Sequence, residues 1–281
     1  MFGEYYIWKR HSGNGNIYLA DGVTPDPNGG PKDGVIRTKS DLDWVKAMLD
    51  YKVDGKTIYN FNNQSIGQGA GLWYGEAIYA DLNGDGMYGT NDNDRYFTNK
   101  SSMPKFTFGL NMSAEWKGID LSMTWSGAAG MYHYIYERGF NSMSSSSWQE
   151  GTIVALNARD IFYYSDPQKA ATDQNYDPAQ DPNANINSPY LRIGNVASAF
   201  RATDNELYNS SYLKLKTIQI GYTFPTRLVS KANISKLRIF ATGENIATIT
   251  NFPGVDPEIG GGGFQAYPIP RMISGGINLT F

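Results

Sequence analysis

The chain has 281 residues, a formal net charge of −3 and a pI near 5.4, and so lacks the basic field that a nucleic-acid partner requires. Charged residues supply only 18% of the sequence while aromatics reach 14%, with 20 tyrosines, a pairing suited to strands and interfaces. Cysteine is absent, which excludes disulfides and thiolate-bound metals. No run reaches the ~18 consecutive apolar residues of a membrane-crossing helix. That leaves a membrane β-barrel open, because barrel strands alternate lipid-facing and lumen-facing residues and average out polar.

At the start, "MFGEYYIWKRHSG" has no apolar core of a secretion signal, so an exported form of this chain would lack its beginning. "GEYYIWK" and "NIYLADG", on either side of "RHSGNG", predict a hairpin. "SDLDWVKAMLD" sets Leu42, Val45, Met48 and Leu49 at helical spacing behind Ser40 as N-cap, and predicts a short surface helix.

"DLNGDGMYGTND" then places oxygen-bearing side chains where a calcium loop wants them. Asp81, Asn83 and Asp85 take positions one, three and five, with Gly86 at six for the sharp turn. Met87 at seven offers its backbone carbonyl, Gly89 at nine a bridging water, and Asp92 closes the loop at twelve. Asp92 stands where a sensor loop has Glu, and the flanks "EAIYA" and "DRYFTN" read as extended, so a helix-loop-helix sensor is not expected. The alternatives are a structural Ca2+ site or a metal-free turn rich in Asp, Asn and Gly.

From Lys105 onward the alternation is strict. Phe106, Phe108, Leu110, Met112, Ala114 and Trp116 fall on one side, and Ile119, Leu121, Met123 and Trp125 resume the pattern after Lys117-Gly118. Residues flanking a two-residue hairpin pair directly and share a face, so Trp116 and Ile119 join two apolar sets. Each arm has about the nine to eleven residues that a tilted strand needs to cross a bilayer.

Ile218, Ile220, Tyr222 and Phe224 form a third set, with Leu213 and Leu215 out of phase, which predicts a bulge near Lys216 or an end above the membrane. Leu237, Ile239 and Ala241 form a fourth, and Ile273, Ile277, Leu279 and Phe281 a fifth. Short connections at Lys117-Gly118 and from Pro225 to about Lys236 alternate with long ones at 128–210 and 245–270. That asymmetry belongs to outer-membrane barrels, and a periplasmic Phe281 would turn both long loops and the Asp81 loop outward. "SSSSWQEGTIVALNARDIFYY" predicts a further short helix in the first long loop.

Other chemistry is thin. His11 and His133 are the only histidines, too few for a metal or triad site. The serines of "SMSSSSWQE" lack a nucleophile-elbow setting, and "GQGAG" and "GGGG" read as loops. Tyr132, Tyr134, Tyr136, Trp148, Tyr163 and Tyr164 could stack on sugars, pack against a partner or fill loop cores.

Several blocks in order, "DLNGDG" with "NDNDR", "FTFGLNMSAEWKGIDLSMTWSGAAG", "SYLKLKTIQIGYTFP", "LRIFATGENIATITNFPGVDPE" and "AYPIPRMISGGINLTF", resemble the C-terminal part of SusC/RagA-like TonB-dependent transporters of the Bacteroidota outer membrane. The resemblance covers most of residues 81–281, with a weaker match at "EYYIWKRHSGNGNIYLADG". It implies an all-β fold: an antiparallel transmembrane β-barrel of a Gram-negative outer membrane, here its C-terminal portion only, with long extracellular loops that carry short helices. It also implies a plug, a SusD-like surface lipoprotein as lid, TonB–ExbB–ExbD as energy source, and oligosaccharides or peptides as cargo. Ser274, Gly276, Leu279 and Phe281 resemble the C-terminal signal read by the barrel-assembly machinery.

On this basis residues 1–104 form an upstream hairpin and extracellular-loop region with the calcium-type loop, and 105–281 form the transmembrane strands. Lacking the plug and earlier strands, the chain is expected to be a fragment or truncated product, since an open sheet in lipid leaves unpaired edges. The competing readings are a secreted, soluble β-rich carbohydrate-binding module braced by calcium and, behind it, a glycan-active enzyme. They differ from the barrel in burying Phe108, Leu110, Leu121, Met123, Ile239 and Leu279 rather than exposing them.

Overall fold

Alternating side chains draw five segments into one antiparallel sheet: β1 (Phe106–Trp116), β2 (Ile119–Ala129), β3 (Tyr212–Thr223), β4 (Lys236–Thr250) and β5 (Met272–Thr280). The computed structural model describes the chain apart from residues 1–2, 62–64, 68–70, 91, 135–160, 189, 193–202, 205–206 and 260–268. Strands adjacent in sequence are adjacent in the sheet, a simple meander. Among the described residues no helix is long and apolar enough to cross a membrane, which does not bear on strands.

The β1–β2 turn has both central residues in the left-handed region, Lys117 at φ 48° and Gly118 at φ 85°. This pair of signs matches the twist of the flanking strands. Gly118 is also sterically required, because a Cβ there would lie 2.6 Å from the Thr223 carbonyl oxygen. The β3–β4 connection, residues 224–235, is longer but compact: a helical turn at Thr226–Val229 and a left-handed Asn233.

The bulge predicted near Lys216 is present. Leu215 pairs with Trp125 and Ala247, while Thr217 pairs with Thr124 and Glu244, so the register shifts at Lys216. The extra residue resets the phase, and Leu213 and Leu215 return to the face shared by Ile218 and Ile220. Two strands run further than the loop composition suggested. β2 continues to Ala129, and β4 passes through the left-handed Asn245 to reach Thr250, because the distortion absorbs a residue that reads as a turn.

By compactness the chain divides into a strand-rich unit, Met1–Gly3 with Lys100–Ile135 and Tyr208–Phe281, and a loop-rich unit, Glu4–Asn99 with Tyr136–Leu207. In the loop-rich unit, α1 (Lys39–Asp50) buries Leu42, Trp44, Val45 and Met48 against Phe61, Tyr88, Tyr74 and Phe162. Its N-cap is Thr38 rather than Ser40: Thr38 and Asp41 close a reciprocal capping box, which satisfies two helix-end donors together.

The predicted "GEYYIWK"–"NIYLADG" hairpin does not form. Glu4–Trp8 pairs instead with Arg95–Ser101, and Tyr18 makes only an isolated bridge to Pro25. The intervening glycines and asparagines hydrogen-bond to residues 28–31, Gly13 to Pro31 and Asn14 to Asn28, so they line another strand of loop rather than turning back. The helix expected in "SSSSWQEGTIVALNARDIFYY" falls mostly outside the described residues. Its end, Ile161–Phe162, forms a short parallel ladder with Tyr190–Arg192.

Candidate functional site

Register assigns the two faces of the sheet. On one face three rows cross all five strands: Met112–Met123–Ile218–Gly243–Ile273, Ala114–Leu121–Ile220–Ala241–Gly275 and Trp116–Ile119–Tyr222–Ile239–Ile277. Most of these side chains are exposed. Phe108, Leu110, Ile239 and Leu279 are exposed, Leu121 and Met123 are half-buried, and none is in a core. Ile273 is 83% exposed. A soluble sandwich would bury such rows, since a contiguous apolar surface of this extent has no place in water. Lipid is the solvent that suits it.

The opposite face is polar. The row Ser113–Ser122–Gln219–Thr242–Ser274 runs beside Glu115–Asp120–Gly221–Phe240–Gly276. Arg238 Nε and Nη2 donate to the two oxygens of Asp120 at 2.8 and 2.5 Å, Nη2 donates to Gln219 at 3.0 Å, and Gln219 donates to Thr242 at 2.9 Å. Fork-on-fork geometry of this kind is the strong form of the Arg–carboxylate pair. Gly221 makes room for it, because a Cβ there would stand 2.5 Å from the guanidinium and 2.6 Å from Asp120.

Toward the long-loop end, Lys214 lies on the same polar face, opposite Ser126 and Thr248. It is 3% exposed and donates to both oxygens of Asp256 at 2.6 and 2.7 Å and to Glu258 at 3.0 Å, while Lys216 reaches Glu258 at 2.5 Å. Burial opposes the charge on Glu258, yet the bonds from Lys216 and Lys214 outweigh it and hold that carboxyl below its usual range. His133 adds a ring hydrogen bond to the Pro257 carbonyl and packs edge-on against Phe252 at 6.1 Å. Residues 251–258 are thereby strapped to the wall. Lys214, Asp256 and Glu258 were not singled out from sequence, and the only available signal was two lysines spaced to share a face next to an expected bulge.

Of the residues resembling an assembly signal, Ser274, Leu279 and Phe281 are exposed, Phe281 at 85%. Gly276 has a packing role: it faces Phe240 across the β4–β5 ladder, and a Cβ would sit 2.4 Å from the ring.

In the Asp81 loop the acceptors are turned inward on the backbone. Asp81 Oδ1 accepts the N–H of Gly84 at 2.7 Å and of Asp85 at 3.2 Å, and Oδ2 accepts that of Gly86 at 2.8 Å. Asn83 Oδ1 accepts from the Asp85 N–H at 3.1 Å, and Asp85 Oδ1 from the Met87 N–H at 2.8 Å. Gly84 and Gly86 adopt φ 77° and 81°, which the tight turn requires. Asp94, outside the expected ligand set, is buried and accepts the N–H groups of Leu82 and Gly89, both at 2.9 Å. Burial raises its pKa, and the two amide bonds oppose that rise.

A carboxylate oxygen has two lone pairs, so Asp81 Oδ2 retains one beside its amide. Residue types and order therefore fit a calcium ion held by Asp81, Asn83, Asp85 and the Met87 carbonyl. Among the described residues, however, no three acidic or histidine side chains converge into a cage, and the Asp92 side chain lies outside them. A cleft of about 400 Å³ beside the loop is lined by Lys9, His11, Tyr59, Asp81 and Tyr88. His11 is buried, stacks on Trp44 at 5.1 Å and bonds the Gly29 carbonyl at 2.7 Å. Among the outer-loop aromatics Tyr164 is a core residue and Tyr163 is exposed, while Tyr136 and Trp148 lie outside the described residues.

No protein-family model matches the chain. TonB-dependent receptor P3 of Formosa agariphila is 24% identical over 223 residues, covering 74% of this chain and 19% of that protein. TonB-dependent receptor SusC of Bacteroides thetaiotaomicron is 24% identical over 211 residues, covering 73% and 18%. Among solved structures, that of the RagAB peptide transporter superposes with a TM-score of 0.52 at 20% identity, over 74% of this chain and 21% of the other. The RagAB peptide importer in its 'open-open' state gives 0.51 at 20% identity, over 73% and 20%. The chain spans about a fifth of the length of each of these proteins. At such identities the structural likeness speaks for the fold, a portion of an antiparallel transmembrane barrel wall.

Proposed function

For a chain that is a partial SusC/RagA-like TonB-dependent receptor of the Gram-negative outer membrane, we propose that it forms one section of the wall around an import channel for oligosaccharides or peptides. The observation that carries this reading is the two-faced sheet, with three apolar rows on one face and a hydrogen-bonded polar ladder on the other. In this role the chain has no catalytic duty. A SusD-like surface lipoprotein would cover the long-loop side, TonB–ExbB–ExbD would drive transport through the rest of the receptor, and the barrel-assembly machinery would read Ser274, Gly276, Leu279 and Phe281. Peptide cargo is supported by the neighbouring RagAB structures being those of a peptide importer, and glycan cargo only by what the family resemblance of the sequence implies.

A calcium ion in the Asp81 loop would brace the loop-rich unit rather than take part in transport. Arginine scanning tests the wall. Leu110→Arg and Met123→Arg should each cost about 2–4 kcal/mol of stability in lipid, whereas Ser113→Arg and Thr124→Arg on the polar face should cost under about 1 kcal/mol. Urea titration of protein folded into vesicles reads the difference. Equal effects on both faces would reject the wall, and uptake of labelled oligosaccharide against labelled peptide, with and without TonB, would separate the cargoes.

A further inference from the structure

The five strands end together on the short-turn side, and four cations gather there. Lys117 sits in the β1–β2 turn, Arg227 and Lys231 in the β3–β4 connection, and Lys236 opens β4. All four are exposed, and among the described residues none makes a salt bridge. The two connections, residues 117–118 and 224–235, contain no Asp or Glu. The acids nearest in register, Glu115 and Asp120, lie on the polar face, and Asp120 is held by Arg238 and lies in the field of Lys236. Even set against the terminal carboxylate beside the Lys236–Thr280 pair, the excess charge at this end is positive.

Just inside the cations runs the apolar row Trp116–Ile119–Tyr222–Ile239–Ile277. Trp116 is 67% exposed, Leu228 in the β3–β4 connection 65%, and the Lys117 ammonium rests 4.7 Å from a Trp116 ring centre. At the opposite end of the sheet Lys105 and Arg271 are also exposed, but Lys214 and Lys216 are locked to Asp256 and Glu258. Charge without ion-pair partners among the described residues, set beside exposed aromatic and aliphatic groups, suits the boundary between acyl chains and headgroups, where long cationic side chains extend toward phosphates.

We propose that this rim binds the phosphate headgroups of anionic glycerophospholipids in the periplasmic leaflet, the leaflet that the short turns of a barrel reach. Lys117, Arg227, Lys231 and Lys236 supply the charge, and Trp116, Tyr222 and Leu228 set the depth. The proposal rests on the wall reading above.

The test is flotation of the full chain with vesicles of phosphatidylcholine alone, or of phosphatidylcholine supplemented with phosphatidylglycerol, at low and high salt. Binding to both vesicle types is expected, tighter by at least about tenfold with phosphatidylglycerol at low salt, with the gain screened away at high salt. The variant carrying Lys117→Gln, Arg227→Gln, Lys231→Gln and Lys236→Gln should lose that gain and keep its binding to phosphatidylcholine. Lys52→Gln with Lys56→Gln, exposed lysines of the loop-rich unit, should change neither. Failure to bind phosphatidylcholine vesicles would remove the wall reading itself. Binding that ignores phosphatidylglycerol, a gain that survives in the quadruple variant, or a preference for lipid A vesicles would each overturn the headgroup proposal while leaving the wall intact.

Discussion

Lys214 is the buried charge on which the strap of residues 251–258 depends. A buried ammonium is tolerated only when paired, and removing its partner costs far more than the pair contributes. Asp256→Ala should therefore destabilise the folded protein by about 2–4 kcal/mol, tempered by the remaining bond to Glu258, as measured by denaturant unfolding in detergent. The Glu258 carboxyl has a folded pKa below its ordinary 4.5, so its contribution is fully present above that pH and is lost as pH falls through the lower folded value. Melting temperature should decline below about pH 4.5, less steeply in Lys216→Gln. At the Asp81 loop, calcium should raise the melting temperature of the unaltered chain and leave Asp81→Ala unmoved, and an equal response in both would remove the ion. The tight Asp/Asn/Gly turn was legible because it lies within twelve contiguous residues. Asp94 was not, because its bonds to Leu82 and Gly89 follow from how the chain closes beyond that window.

At the scale of elements, the last strand pairs along its length with β4, and two of its features are separable. Gly276 is a packing requirement, since any side chain there collides with Phe240, so Gly276→Val should weaken the β4–β5 ladder by about 1–3 kcal/mol. Phe281 packs in no core and is 85% exposed, so its deletion should spare the stability of folded protein while reducing the amount assembled in the outer membrane. Normal insertion of the shortened receptor would defeat that expectation. The bulge at Lys216 and the hairpin at Lys117-Gly118 could be read from phase and turn length alone, because both are encoded within a few residues. The pairing of Glu4–Trp8 with Arg95–Ser101 could not: its partner lies some ninety residues away, and a nearer strand-like segment competes for it.

At the scale of the whole molecule, the sheet's apolar face calls for a lipid-like surrounding. The purified chain should need detergent to stay dispersed, and a monodisperse, detergent-free monomer in size-exclusion chromatography would contradict the wall. The strand-rich unit was largely determined by the sequence itself, because a period of two sorts side chains to faces without reference to anything distant, and each strand's set is visible in its own ten or so residues. Tertiary structure alone decided the loop-rich unit, whose aromatic core joins Trp44, Phe61, Tyr88, Phe162 and Tyr176 across more than a hundred residues without a repeating pattern. It also decided that Lys214 is clamped by Asp256 and that Asp120 meets Arg238. Such contacts depend on register and loop closure, which bring together charges that no local spacing relates.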